Sequence, residues 1–89
     1  MPEPTHFTIS YKPSAAKAFA KIHPQDQRRI KDAIESLAEN PRPPGGIQLT
    51  GGDGEWRIRV GDYRIIYDIE DQYLVILVLR IGHRREVYR

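Results

Sequence analysis

The chain has 89 residues, of which 39% are hydrophobic and 29% charged, with seven Gly, seven Pro and no Cys. At ~100–200 residues per domain it holds one domain, and the balance of side chains is globular rather than disordered. The lack of cysteine excludes disulfide scaffolds, thiolate metal sites and thiol nucleophiles, and the formal charge of +2 hides an uneven spread of cations.

The opening, Met1 to Thr5, is acidic and proline-rich with no apolar run behind it, so no ordinary signal peptide is expected. Residues 1–5 read as disordered. His6 to Tyr11 alternates, with Phe7, Ile9 and Tyr11 on one side and His6, Thr8 and Ser10 on the other, the pattern of a half-buried strand. Pro13 suits the first turn of a short helix, whose apolar stripe is Ala15, Ala16, Phe19, Ala20 and Ile22. His23-Pro24 stops that helix, because a residue before proline is pushed out of the helical region. A second helix follows from Gln25 to Glu39, with Ile30, Ala33, Ile34, Leu37 and Ala38 at helical spacing and charged residues on its other face. Asn40-Pro41 ends it.

Pro41 to Gly54 is a loop, with three Pro and five Gly in fourteen residues and a short extended piece at Ile47 and Leu49. Trp56, Ile58 and Val60 then alternate with Glu55, Arg57 and Arg59. Gly61-Asp62 suits a two-residue hairpin turn, since glycine supplies a positive φ. Tyr63 to Ile69 forms the next strand, Glu70-Asp71-Gln72 the next turn, and Tyr73 to Ile81 an apolar strand that belongs inside a sheet, covered on both faces. Gly82 ends it, and residues 83–89 form a polar tail expected to be mobile. The apolar run Leu74 to Leu79 is far short of the ~20 residues that span a bilayer. The expected fold is therefore a single α+β domain over residues 1–89: an N-terminal strand, a helical hairpin, and an antiparallel three-strand meander in one twisted sheet with the helices packed on it.

The cations divide by type. All four lysines, Lys12, Lys17, Lys21 and Lys31, lie in the first part of the chain, and every basic residue after Lys31 is arginine. A two-residue turn at Gly61-Asp62 pairs Val60 with Tyr63, Ile58 with Ile65 and Trp56 with Tyr67, all apolar or aromatic and all on one face. A one-residue slip would turn every one of them over. The opposite face then pairs Arg59 with Arg64, and places Arg57 two residues along. Like charges directly opposed destabilise a sheet by up to ~1 kcal/mol. Either these arginines splay outward and pair with loop acids, or an external anion compensates them. Phosphate is the natural candidate, because its bonds to guanidinium are charge-assisted and bidentate. The tail adds His83, Arg84, Arg85 and Tyr88, a set that suits single-stranded nucleic acid or phosphodiester chemistry. Arg80 falls beside Tyr63 in one register and reads as structural.

The block Trp56-Arg57-Ile58-Arg59-Val60-Gly61-Asp62-Tyr63-Arg64-Ile65-Ile66-Tyr67, with the tail Gly82-His83-Arg84-Arg85-Glu86-Val87-Tyr88-Arg89, resembles the RelE branch of the RelE/ParE toxins over nearly the whole chain. The resemblance implies a type II toxin–antitoxin system toxin that cuts mRNA in the ribosomal A site without a metal or other cofactor. In that reaction the ribose 2′-OH attacks the adjacent phosphate, leaving a 2′,3′-cyclic phosphate and a 5′-OH. The family's site residues fall on Arg57, Arg59, Arg64, Arg84 and Tyr88. Arg85 and Arg89 are expected to touch RNA backbone. The implied partners are a cognate antitoxin, the ribosome and its mRNA, with the toxin–antitoxin complex binding its own promoter DNA through the antitoxin. No membrane is implied, and the expected location is cytoplasmic.

The chain departs from the family pattern in three places. The second-strand pair, commonly lysine, is Arg57 and Arg59. Arginine stays protonated at working pH, so both are assigned electrostatic roles only. Thr50 stands where some members carry an arginine. The chain stops at Arg89, so the C-terminal helix that some relatives add is expected to be missing. Proton transfer is left to Tyr88, whose phenolate nearby arginines would favour, or to His83, the side chain best suited to titrate near neutrality. Glu86 is better placed to pair with an arginine. His6 and His23 show no ligand spacing, and no metal site is expected. Two alternatives stay open: a ParE-like gyrase poison of the same fold, and a catalytically inactive module that binds its antitoxin or RNA.

Overall fold

The computed structural model describes residues 6–51 and 54–83. Among these residues two helices form where the apolar spacing predicts them. Helix α1, Pro13–Ala20, has proline in its first turn, where a missing N–H costs nothing. Helix α2, Pro24–Ser36, again opens on proline, and the His23 imidazole Nδ1 accepts a hydrogen bond from the Gln25 N–H at 3.2 Å. Asp26 in that first turn complements the helix dipole. Regular helix stops at Ser36, three residues before the expected Glu39. Leu37, Ala38 and Glu39 instead donate to carbonyls three residues back, at Ile34, Glu35 and Ser36, the tightened geometry common at helix ends. The Phe7 N–H then bonds the Ala38 carbonyl at 2.8 Å and ties the start of the first strand to this turn.

Among the described residues five strands form one sheet: β1 Thr8–Tyr11, β2 Ile47–Gln48, β3 Trp56–Val60, β4 Tyr63–Glu70 and β5 Val75–His83, in the order β1-β5-β4-β3-β2. The β3–β4 register is the one the hairpin arithmetic predicts: Trp56 faces Tyr67, Ile58 faces Ile65, Val60 faces Tyr63 and Arg59 faces Arg64. Gly61 supplies the positive φ, +60°, at the turn. β1 lies parallel to β5, while the other pairs are antiparallel.

The last strand differs from its expectation at both ends. Asp71 to Leu74 make a wider turn than Glu70-Asp71-Gln72, with Leu74 at φ +53° and Tyr73 exposed. Gly82 does not end β5, because β4 still offers partners there: Gly82 pairs with Arg64 and His83 with Tyr63. His83 thus lies in strand β5, paired with Tyr63, and is not part of a tail. The expectations for residues 1–5 and for 84–89 lie outside the described residues.

Both helices pack on one face of the sheet. Ala15, Ile30, Ile34 and Leu37 meet Ile58, Ile65, Tyr67, Ile76, Val78 and Ile81 in a single cluster. The Tyr67 hydroxyl, inside that cluster, donates to the Pro41 carbonyl at 2.7 Å and anchors the long loop. Arg42 on the same loop makes a two-pronged pair with Asp71, at 3.2 and 2.8 Å, and lies over the Trp56 ring. β5 is interior to the sheet but is covered by helix on one face only. Its second apolar face, Val75 and Leu77, is half-buried with no helix over it among the described residues. Among those residues, no helix is long and apolar enough to cross a membrane.

Candidate functional site

Strand side chains alternate between faces, so burying Ile58 and Ile65 against the helices sends their neighbours to the other side. Arg57 and Arg59 of β3 and Arg64 of β4 all leave on the face away from α1 and α2. One cross-strand row there runs Arg59–Arg64–Gly82, and the next runs Arg57–Ile66–Arg80. Neighbouring strands are ~4.8 Å apart, so four guanidinium-bearing residues occupy a patch three strands wide. Arg57 and Arg64 are half-buried with their Nε atoms out of solvent, whereas Arg59 and Arg80 are exposed. Among the described residues, neither the Arg59 nor the Arg80 guanidinium joins a hydrogen bond or ion pair. Ile66 is only 6% exposed although it faces away from the helices. Its cross-strand neighbours are Arg57 and Arg80, whose aliphatic stems are suited to cover it.

The same face is acidic at its far end. Asp68 and Glu70 stand two residues apart on β4, and the hydrogen bond and charge of Asp68 hold the Glu70 carboxyl above its usual range. Charge on this face therefore runs from cationic beside the β3–β4 turn to anionic beside the β4–β5 turn. An extended polyanion would be drawn to one end and repelled from the other.

Of the residues singled out from sequence, the structure brings Arg57, Arg59 and Arg64 together. It sets His83 apart from them. His83 pairs with Tyr63, whose side chain lies on the helix side, and the two rings meet edge-on with centroids 5.8 Å apart. A pocket on that side is lined by His83, Tyr63, Ser14, Lys17 and Lys21. Arg84, Arg85, Tyr88 and Arg89 lie outside the described residues. Arg80 is the member that sequence reading missed: it faces Ile66, not Tyr63. The cause is a β-bulge at Leu79. Tyr67 pairs with Val78 and Ile66 with Arg80, leaving Leu79 as the extra residue. No local signal marks this bulge in a run as uniformly apolar as Leu74 to Leu79.

Among the described residues β2 pairs with Arg57 and Trp56, which leaves Ile58 to Val60 as a sheet edge there. A groove of about 460 Å³ runs beside that edge, lined by Ala33, Leu37, Pro43 and Pro44 with Arg57 and Arg59 on its wall. The chemistry on offer at the patch is electrostatic. Guanidiniums bind phosphate oxygens bidentately and stabilise charge that grows on them, but they neither take nor give a proton at neutral pH. A base must come from elsewhere.

A family model described as "ParE toxin of type II toxin-antitoxin system, parDE" matches residues 9–88. Toxin RelG of Mycobacterium tuberculosis (strain ATCC 25618 / H37Rv) is 26% identical over 84 residues, spanning 93% of this chain and 97% of its own length. Among solved structures, the archaeal RelE-RelB complex from Pyrococcus horikoshii OT3 superposes with a TM-score of 0.80 at 26% identity, over 91% of this chain and 98% of that one. The isolated E. coli RelE toxin shares the fold with a TM-score of 0.78 at 24% identity, over 92% and 90% of the two chains. The chain belongs to the ParE toxin family of type II toxin–antitoxin systems, and within the RelE/ParE superfamily it falls in the RelE branch.

Proposed function

We propose that this toxin is a ribosome-dependent endoribonuclease that cleaves mRNA in the ribosomal A site and so arrests translation. The observation that carries the reading is the face of the sheet away from α1 and α2, where Arg57, Arg59 and Arg64 crowd together on paired strands. The scissile phosphate would lie across these guanidiniums. The 2′-oxygen attacks phosphorus as a base removes its proton, the P–O5′ bond breaks, and the 5′-oxygen takes up a proton. The products are a 2′,3′-cyclic phosphate and a 5′-OH. In the pentacoordinate state the non-bridging oxygens gain charge, which preorganised arginines stabilise without reorganising. Arg57, Arg59 and Arg64 are electrostatic groups in this scheme. Arg84 adds a further cation, Tyr88 is the proposed base or stacking platform, and Arg85 and Arg89 hold RNA backbone. These four assignments rest on the resemblance of the tail to the RelE branch. No metal or cofactor is invoked. His83 has no chemical role in this scheme, since it stands on the other face of the sheet from Arg59 and Arg64.

The natural partner is a cognate antitoxin, as in the toxin–antitoxin complex from Pyrococcus horikoshii to which this fold is similar. It would neutralise the toxin by covering or displacing part of the arginine patch, and through it the complex would bind its own promoter. The ribosome supplies in-line positioning of the 2′-OH, a large part of the barrier reduction in such reactions, so free mRNA should be cut poorly. Action on translating ribosomes places the toxin in the cytoplasm.

The test is a translating extract with a defined mRNA, mapping 5′ ends with and without ribosomes, for wild type, Arg84→Ala and Tyr88→Phe. Ribosome-dependent cuts in register with codons are expected, reduced about 10²–10³-fold in Arg84→Ala, the range for losing one charge-stabilising donor, and weakened in Tyr88→Phe. Intact mRNA with wild-type toxin would overturn the reading and send the search to gyrase, through a supercoiling assay.

A further inference from the structure

We infer that Arg80 is a further positioning residue of the RNA-bearing face, gripping a phosphate that flanks the scissile one; this deepens the ribonuclease reading and rests on it. The inference comes from the bulge at Leu79. From Glu70–Val75 to Tyr67–Val78 the β4–β5 register keeps one offset, and from Ile66–Arg80 to Tyr63–His83 it keeps another, one residue longer. Had the first offset continued, Arg80 would stand opposite Ile65, which is fully buried against the helices. A buried unpaired guanidinium is among the costliest groups a core can hold. The extra residue reverses the parity, so that Ile81 enters the core at 5% exposure and Arg80 emerges on the opposite face. Bulges commonly re-aim side chains beside functional sites.

The side chain so delivered has the features of a phosphate ligand. It sits in line with Arg57, one strand removed on either side of Ile66. It is exposed, and among the described residues its guanidinium joins no hydrogen bond or ion pair. Arg59, Arg64 and Arg57 lie nearer the β3 edge, whereas Arg80 stands on β5, two strand spacings or ~10 Å from β3. The patch is therefore broad enough to meet more than the reacting phosphate. Arg80 takes the neighbour, fixing the direction of the strand as it crosses the sheet. A contact of this kind raises affinity and register rather than the rate of the chemical step.

The experiment compares wild type, Arg80→Ala and Arg80→Lys, with Arg28→Ala on exposed α2 as a control. Programmed ribosomes give kcat and KM. A ribosome complex whose mRNA carries a 2′-deoxy nucleotide at the cut position gives binding from about 50 to 200 mM salt. For Arg80→Ala we expect roughly tenfold weaker binding, the size of one charge-assisted hydrogen bond, a rise in KM with kcat nearly kept, and a salt slope shallower by ~0.7. Arg80→Lys should restore most of the slope, and Arg28→Ala should match wild type. Thermal unfolding of each variant separates a folding defect from a binding one. Unchanged affinity and slope in a folded Arg80→Ala would overturn the role of Arg80 alone. Wild type without salt-dependent binding or cleavage would overturn the ribonuclease reading and this inference together.

Discussion

Replacing Arg59 by threonine should stabilise the fold while removing its function. Arg59 and Arg64 are directly opposed on β3 and β4, with Cβ atoms ~5 Å apart in such a pair. Guanidiniums that splay to ~7 Å repel by ~0.6 kcal/mol at the dielectric of water and by ~2.4 kcal/mol at an effective value of 20. Arg59 is exposed and Arg64 half-buried, so the lower part of that range applies, in line with the ~0.2–1 kcal/mol seen for cross-strand pairs. Threonine adds a few tenths through its better fit to a strand. The net gain is ~1 kcal/mol at low salt, or a rise of ~4–8 °C in Tm for a domain of this size. Urea and thermal unfolding at about 20 mM and 500 mM salt would read it. The gain should fall by more than half at the higher salt, where the screening length drops to a few Å. Cleavage on ribosomes should fall about 10²-fold. A variant less stable than wild type by more than ~0.5 kcal/mol, or a gain identical at both salts, would refute the view that this patch is held against internal repulsion.

Tyr67 is expected to limit stability in alkali. Burial pushes its phenol up to about 12, against a smaller lowering by Arg42. The folded state thus prefers the neutral form, so the associated stability is complete below pH ~10 and is lost as pH climbs towards 12, a change of roughly 2–3 kcal/mol. Tyr67→Phe should cost ~1–2 kcal/mol at pH 7 by stranding the Pro41 carbonyl, and denaturant titrations should show its curve flatter than wild type between pH 10 and 12; parallel curves would sink the argument. At the β4–β5 turn, Leu74 holds φ +53° and is 41% exposed. Relief of left-handed strain, ~1–2 kcal/mol, outweighs the ~0.5–1 kcal/mol of added chain entropy. Leu74→Gly should therefore be neutral or stabilising by up to ~1 kcal/mol in urea melts, and a loss of 2 kcal/mol or more would show that the side chain packs.

The hairpin that carries the patch was legible in the sequence for two local reasons. A two-residue turn at Gly61-Asp62 sets the pairing, and strict alternation over Trp56 to Val60 sets the face. Turn chemistry and side-chain parity act over a few residues, so a short window contains all that decides them. The helices followed from apolar spacing and the two prolines that open them, although the end of α2 was settled by how Leu37 to Glu39 bond backward. Other features depended on partners distant in the chain. β1 runs parallel to β5 through contacts some 67 residues apart, Thr8 to Val75, and its own alternation says nothing of direction. In β5, where nearly every residue is apolar, either parity buries apolar side chains, so the pattern cannot choose a face. That choice fell to the bulge at Leu79, which brought Arg80 to the arginines and left His83 against Tyr63 on the helix side. The chemistry-bearing residue types were thus determined by the sequence alone. Which of them share a surface was decided by packing, because only the assembled core distinguishes one apolar register from the next.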